Sequence, residues 1–517
     1  MVEDGYVFGV ELWIERALRA LREMSGETPD GKAHTVSSAF YGTTEDVLLQ
    51  RSLQFCTRES PLWARMDGVT EIDSAESPDA GQHPVQRLSR FSHAWRALRH
   101  RNFRLFFAGQ SISLIGSWMT RVATSWLIYR LTGSALLLGL VSFAGQIPTF
   151  LLAPFAGVLV DRLNRRNMLV WTQTLAAVQS LALAGLTLGK IINVHEVLWL
   201  SVLQGLINAF DMPGRQAFLV QMIEDKQDLG NAIALNSSMV NIARLIGPAL
   251  AGIVIGSVGE GYCFLIDGIS YLAVIASLLM MRVKVAAAKP FHAPMLEQLK
   301  DGWTYVVGFP PIRTILSLFA LISLMGMPFM VLMPIFAAQV LHGGPHTLGF
   351  LLGASGVGAL VSAVSLALRK TVRGLTTMIQ ISAALFGVGL ICFGLSRFLP
   401  LSLFLMLIVG FGMIQGLAAS NTVIQTLVPE DMRGRVMSYY TMAFVGMAPF
   451  GSLLAGTLAH RFGAPHAVMV TGAFCVAGSI WFTTQLKAIR KVMRPIYIEM
   501  GIIRSPLEPA MEDQAGR

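Results

Sequence analysis

The sequence predicts an all-α polytopic membrane protein, with twelve transmembrane helices in two six-helix halves. Three observations carry this. Apolar runs of about 20 residues recur from Phe103 to Leu486, and each is long enough to cross a hydrocarbon core. Positive charge collects in alternate loops between the runs, the asymmetry that orients membrane helices. The chain also repeats weakly. Gln221-Met-Ile-Glu-Asp before the fifth run resembles Gln425-Thr-Leu-Val-Pro-Glu-Asp before the eleventh, and both lead into helices closing on Ala-Gly, at Gly252 and Gly456. Parallel halves related about the membrane normal produce such a repeat.

Composition agrees. The 517 residues have a mean hydropathy of +0.57 and 14% charged residues, against about 25% in an ordinary soluble domain. The net charge of +9 does not imply a nucleic-acid partner, because the basic residues lie in alternate loops and not on one face. Cys56, Cys263, Cys392 and Cys475 have neither metal spacing nor a disulfide framework. No metal and no cofactor is expected. There is no cleavable signal pattern, so the first membrane helix is expected to act as the targeting signal.

Residues 1–95 are read as a largely disordered cytoplasmic extension. Val10 to Leu21 has the apolar spacing of a short amphipathic helix, and Met66 offers a later start. Phe91 to Arg104 is Arg-rich with Trp95, Leu98 and Phe103, and reads as an interfacial helix feeding into the bilayer. A six-helix bundle is placed at 96–281, a cytoplasmic linker at 282–312, a second bundle at 313–486 and a cytoplasmic tail at 487–517. The spans are 103–129, 134–160, 168–188, 195–220, 232–257, 262–281, 313–340, 347–368, 374–395, 399–426, 436–459 and 465–486. One side of this layout carries Arg162, Arg165 and Arg166, then Arg282, Lys284 and Lys289, then Arg433 and Arg435. The other has Arg130, Lys190, Arg397 and Arg461. Both termini are therefore expected in the cytoplasm.

The turn Gly157-Val-Leu-Val-Asp161-Arg162-Leu-Asn164-Arg165-Arg166 resembles the G-x-L-A-D-R-x-G-R-[KR] loop between the second and third helices of the major facilitator superfamily. It departs at Val160 and at Asn164, which stands for a glycine; Asn also tolerates the left-handed backbone of a tight turn. Further stretches resemble the transmembrane secretion effector branch, which includes the enterobactin (siderophore) exporter and macrolide efflux proteins. They are Leu98 to Gln110, Tyr129-Arg-Leu-Thr-Gly-Ser, Ala209 to Ala217 and Asn241 to Gly252. The resemblance covers about 98–486. It implies the major facilitator fold, a bacterial inner-membrane location and a latch at Gly157, Asp161, Arg162, Arg165 and Arg166. In that latch Asp161 faces the start of the eleventh helix near Met437 and Ser438, and Arg162 or Arg165 reaches Asp211.

The antiporter motif of helix five, g-x-x-x-G-P-x-x-G-G, appears with Ala243, Gly247, Pro248, Ala251 and Gly252. Two readings stay open, an export signature and a packing kink. The helix-four motif R-x-x-q-G appears as Ser201 to Gly205 without its Arg, so any coupling mechanism that uses that Arg does not transfer.

Polar residues in hydrocarbon are costly unless they face a cavity or a partner. Gln110, Ser113, Ser117, Arg121 and Thr124 share one face of the first helix. Ser201, Gln204, Asn208, Asp211 and Arg215 share one face of the fourth, and Ser237, Asn241 and Arg244 one face of the fifth. Helices one and four line the cavity in the resembled family. The alternative is hydrogen bonding within the bundle. Trp118, Trp126 and Phe143 are candidate walls of an aromatic pocket. The Gly252/Gly256, Gly349/Gly353 and Gly412/Gly416 pairs read as helix-packing contacts.

No G-x-x-x-x-G-K-[ST] loop exists, so an ion gradient, the proton first, is the expected energy source. Asp211 and Asp267 are the acids placed inside spans. Asp267 is either a structural acid bonded to Tyr271 or a neighbouring helix, or the proton-responsive group paired with Arg121 or Arg244. His342, His346, His460 and His466 lie at helix ends and the spans hold no paired nucleophile and base, which argues against an enzyme. The reading is a monomeric secondary transporter in the lipid bilayer, exporting a small amphipathic siderophore-like or drug-like molecule by alternating access. The alternative is a lysophospholipid flippase of the same fold.

Overall fold

A computed structural model describes residues 95–282, 295–369 and 371–503; within these, the side chains of 153, 154, 157, 158, 161, 162, 226 and 295–299 lie outside the description. The expectations for the N-terminal extension, for most of the linker and for residues beyond 503 fall outside the described residues. Among the described residues every regular element is helical. That is the form in which an apolar segment satisfies its own backbone in lipid.

The long helices are α1 (Arg101–Thr132), α2 (Ala135–Arg162), α3 (Arg165–Leu188), α4 (Val194–Gln221), α5 (Leu229–Val258) and α6 (Glu260–Met280). After them come α7 (Met295–Gly308) and α8 (Pro310–Val340). The chain continues with α9 (Pro345–Ala367), α10 (Leu375–Leu395), α11 (Leu399–Leu427), α12 (Glu430–Phe462) and α13 (Ala464–Glu499). Among the described residues, 10 helices are long and apolar enough to cross a membrane. Helices α1 and α4 are 32 and 28 residues long but too polar to be among them, because each carries one of the polar stripes read from the sequence.

The structure adds three features to the expected layout. The linker holds α7, whose one face packs on the first half of α12: the Trp303 and Tyr439 rings lie 5.7 Å apart and Arg435 bonds Asp301 at 3.1 Å. Helix α13 runs past the last apolar run to Glu499. Leu486, Ile489, Met493 and Tyr497 stay buried there, so the segment continues as an amphipathic helix once its apolar run ends. Asn164 is not left-handed. It has φ −66° and ψ 106°, and its side chain accepts from Arg166 N and Asn167 N as the N-cap of α3, the role for which Asn is preferred over Gly.

Helix α1 packs on α5 and α6, α3 on α4 and α6, and α2 on α4. Later in the chain α9 and α10 pack on α11, and α10 and α8 on α13. Two large contacts join these groups, α5 with α9 and α2 with α12. Both are glycine on glycine. A Cβ added at Gly252 would stand 2.9 Å from Gly349 Cα, and one at Gly139 would stand 2.9 Å from Gly456 Cα. Backbones touch there, as they do where helices associate in lipid. The α2–α12 contact continues through Ser142 Oγ donating to Ser452 Oγ (3.2 Å) and through Phe143 and Phe150 flanking Phe450.

Candidate functional site

The latch turn is described in part. Arg166 Nε and Nη2 donate to the carbonyls of Leu278 (2.7 Å) and Leu279 (2.6 Å), capping the C-terminal end of α6, where a cation is favoured. Arg165 Nη1 reaches Ala217 O at 3.4 Å. Gly157 and the expected contacts of Asp161 and Arg162 lie outside the described side chains. Asp211 is 3% exposed. It is held by Arg215 Nη2 (2.7 Å), Thr172 Oγ1 (3.0 Å) and Gln173 Nε2 (2.7 Å). The arginine described at Asp211 is Arg215, one turn along α4; the expected Arg162 lies outside the described side chains. Helical spacing of four places a carboxylate and guanidinium in reach without help from another loop.

The α1 stripe divides into two environments. Gln110 and Ser113 are buried in the bundle. Ser117 Oγ donates to Asp267 Oδ1 at 3.4 Å and lies 3.1 Å from the Tyr271 hydroxyl, while Ser180 Oγ reaches Asp267 Oδ2 at 3.2 Å. Asp267 is 2% exposed, and Gly116 packs so closely that a Cβ there would meet Oδ1 at 2.8 Å. The expected ion pair of Asp267 with Arg121 or Arg244 does not form among the described residues. Hydroxyls of α1 and α3 occupy the carboxylate instead, because α6 packs against those two helices.

Arg121 and Arg244 come together elsewhere. The Arg121 guanidinium carbon lies 4.9 Å from the Trp118 ring centroid, and that of Arg244 lies 5.4 Å from it. Such cation–π contacts contribute about 0.5–2 kcal/mol each. Trp118 fits because Gly247 of α5 lies beneath it: a Cβ at Gly247 would stand 2.4 Å from Trp118 Cβ. Pro248 and Gly252 of the same motif contact Gly349 of α9, so each of these motif residues has a packing partner. Arg121 is exposed near the middle of α1.

On α4, Gln204 Nε2 donates to Asn208 Oδ1 (3.2 Å), and Gly205 lies against Gly145 of α2. Asn241 bonds back to its own helix at Ser237 O (3.0 Å). The three candidate aromatic residues each have a described ring contact, Trp118 with Arg121 and Arg244. Trp126 pairs with Tyr129 and Phe143 with Phe450. Sequence reasoning missed Thr172, Gln173 and Ser180, whose polarity inside the apolar third span was the available signal. It also missed Glu260, which bonds Arg130 between the ends of α1 and α6.

Residues 92–495 match the family described as transmembrane secretion effector. The chain is 26% identical to the staphyloferrin A transporter of Staphylococcus aureus, with 73% of this chain and 95% of that protein covered. It is 28% identical to the multidrug efflux pump Tap of Mycolicibacterium fortuitum, over 67% and 87%, and 24% identical to macrolide efflux protein A of Streptococcus pyogenes, over 76% and 99%. Among solved structures it resembles a bacterial homologue of the lysosomal transporter Spinster in an inward-facing form, with a TM-score of 0.60 at 13% identity. That likeness covers 80% of this chain and 99% of the other and concerns the fold.

Proposed function

The chain belongs to the transmembrane secretion effector family, and we propose that it exports a small amphipathic molecule from a bacterial cell by proton-coupled alternating access. That it is a multi-pass membrane transporter rather than an enzyme follows from the family. The observation carrying the export reading is coverage: relatives named for a siderophore, for multiple drugs and for macrolides align over 87–99% of their own lengths. These relatives favour a siderophore-like or drug-like cargo over a lysophospholipid.

In this reading α1–α6 and α8–α13 are the twelve spans, in two halves, with both termini cytoplasmic and the bilayer of the inner membrane around a monomer. Support for the halves comes from the turns closing α5 and α12, where Gly259 (φ 96°) and Gly463 (φ 83°) occupy matching places in the repeat. The two glycine crossings lie at helix ends away from the Arg165–Arg166 turn, so they serve as the closed end while that turn latches the other. Asp267 serves as the proton site: its described partners are neutral hydroxyls, which can accept as well as donate. Gln110, Ser117, Gln204, Asn208, Asn241 and Arg244 border the path.

Everted membrane vesicles from cells producing the protein test this. They should take up dyes such as ethidium when acidified inside, and lose that uptake when a protonophore collapses the gradient. Uptake indifferent to the gradient would remove proton coupling; no uptake of any drug, dye or siderophore tried would remove the export reading.

A further inference from the structure

The Arg121–Trp118–Arg244 cluster is two positive charges on one ring, and among the described residues no acid pairs with either. The buried acids of α4 and α6 are occupied. Asp211 has Arg215, Thr172 and Gln173; Asp267 has Ser117 and Ser180; Glu260 has Arg130. Among the described residues neither Arg121 nor Arg244 enters an ion pair. The Arg244 Nε is shut off from solvent and has no hydrogen-bond partner. A ring face eases the cost of holding a cation but does not neutralise it, and like charges repel more strongly in a low-dielectric bundle than in water. An arrangement of this kind is completed by an anion from outside, and guanidinium is the group whose planar fork matches a carboxylate.

We propose that Arg121 and Arg244 form a clamp for a carboxylate on the cargo, with Trp118 lying against the apolar body next to it. The proposal rests on the export reading and narrows its cargo to amphipathic carboxylates. Arg121 is the exposed member and meets the carboxylate first; Arg244, on α5, closes on it. Gly247 is then a specificity element, since any side chain there displaces Trp118.

The test uses the purified full chain in lipid nanodiscs with dansylglycine, a fluorescent amphipathic carboxylate, and its methyl ester, the same body without the charge. Energy transfer from tryptophan to dansyl reports binding. Wild type should bind the acid at least tenfold more tightly than the ester. Arg121→Gln and Arg244→Gln should each abolish that preference, with a wild-type thermal unfolding midpoint and elution profile showing that the variants fold. Arg121→Lys should keep part of it. Equal affinity of wild type for acid and ester, or a preference that survives both Gln variants, overturns the clamp. If the preference is absent while cells still expel ethidium, the clamp fails and the export reading stands. If the preference is present but neither dansylglycine nor any dye moves outward, the clamp stands and the export reading fails.

Discussion

Asp211 and Asp267 are equally deep, 3% and 2% exposed, yet their surroundings are opposite in kind. Asp211 meets a guanidinium and two further donors. Asp267 meets hydroxyls of α1 and α3. Arginine can only donate, so a proton arriving on Asp211 would leave the half-buried Arg215 without its anion. A hydroxyl can turn and accept, so a proton arriving on Asp267 leaves no donor stranded. Depth alone therefore does not separate the two acids; the chemistry of their partners does.

The largest effect that tests this contrast is expected at Asp211. Asp211→Asn should destabilise the folded protein by about 1.5–3 kcal/mol, the range for a hydrogen bond to a charged group, because Arg215 keeps partial access to solvent. It should show as a fall in membrane abundance and in Tm. Adding Arg215→Gln should recover most of the loss; a double variant no better than the single one would mean that the pair is not the reason. Next is Gly116→Ala, whose methyl lands 2.8 Å from Asp267 Oδ1. Overpacking of this kind costs about 1–3 kcal/mol, so thermal unfolding should show a clear decrease, with none for Gly185→Ala, where a Cβ meets nothing within 4 Å.

Asp267→Asn is expected to leave abundance near wild type and to reduce gradient-driven transport at least tenfold, while cargo exchange without a gradient continues. Full gradient-driven transport by this variant would end the proposed role of Asp267. Smallest is Ser180→Ala, which removes a hydroxyl shared between Phe264 O (3.0 Å) and Asp267 Oδ2 (3.2 Å), a loss of about 1 kcal/mol. Transport by Ser180→Ala should stay within a few-fold of wild type; a loss as large as that of Asp267→Asn would show that the hydroxyl, and not the acid, limits the step.

The helices and the order of their polar stripes were legible in the sequence, because the bilayer imposes a length and a composition on every span independently of its neighbours. The family was legible for the same local reason, in the Gly157–Arg166 turn and the Asn241–Gly252 stretch. Partners were not. In lipid the face of a helix that meets another helix is as apolar as the face that meets acyl chains, so periodicity does not say which helix lies opposite. Only the packing placed Arg121 and Arg244 on one indole, gave Asp267 to Ser117 and Ser180, and set Gly139 against Gly456. Each of these depends on backbones approaching over small residues from distant parts of the chain, and that approach is decided by the assembled bundle.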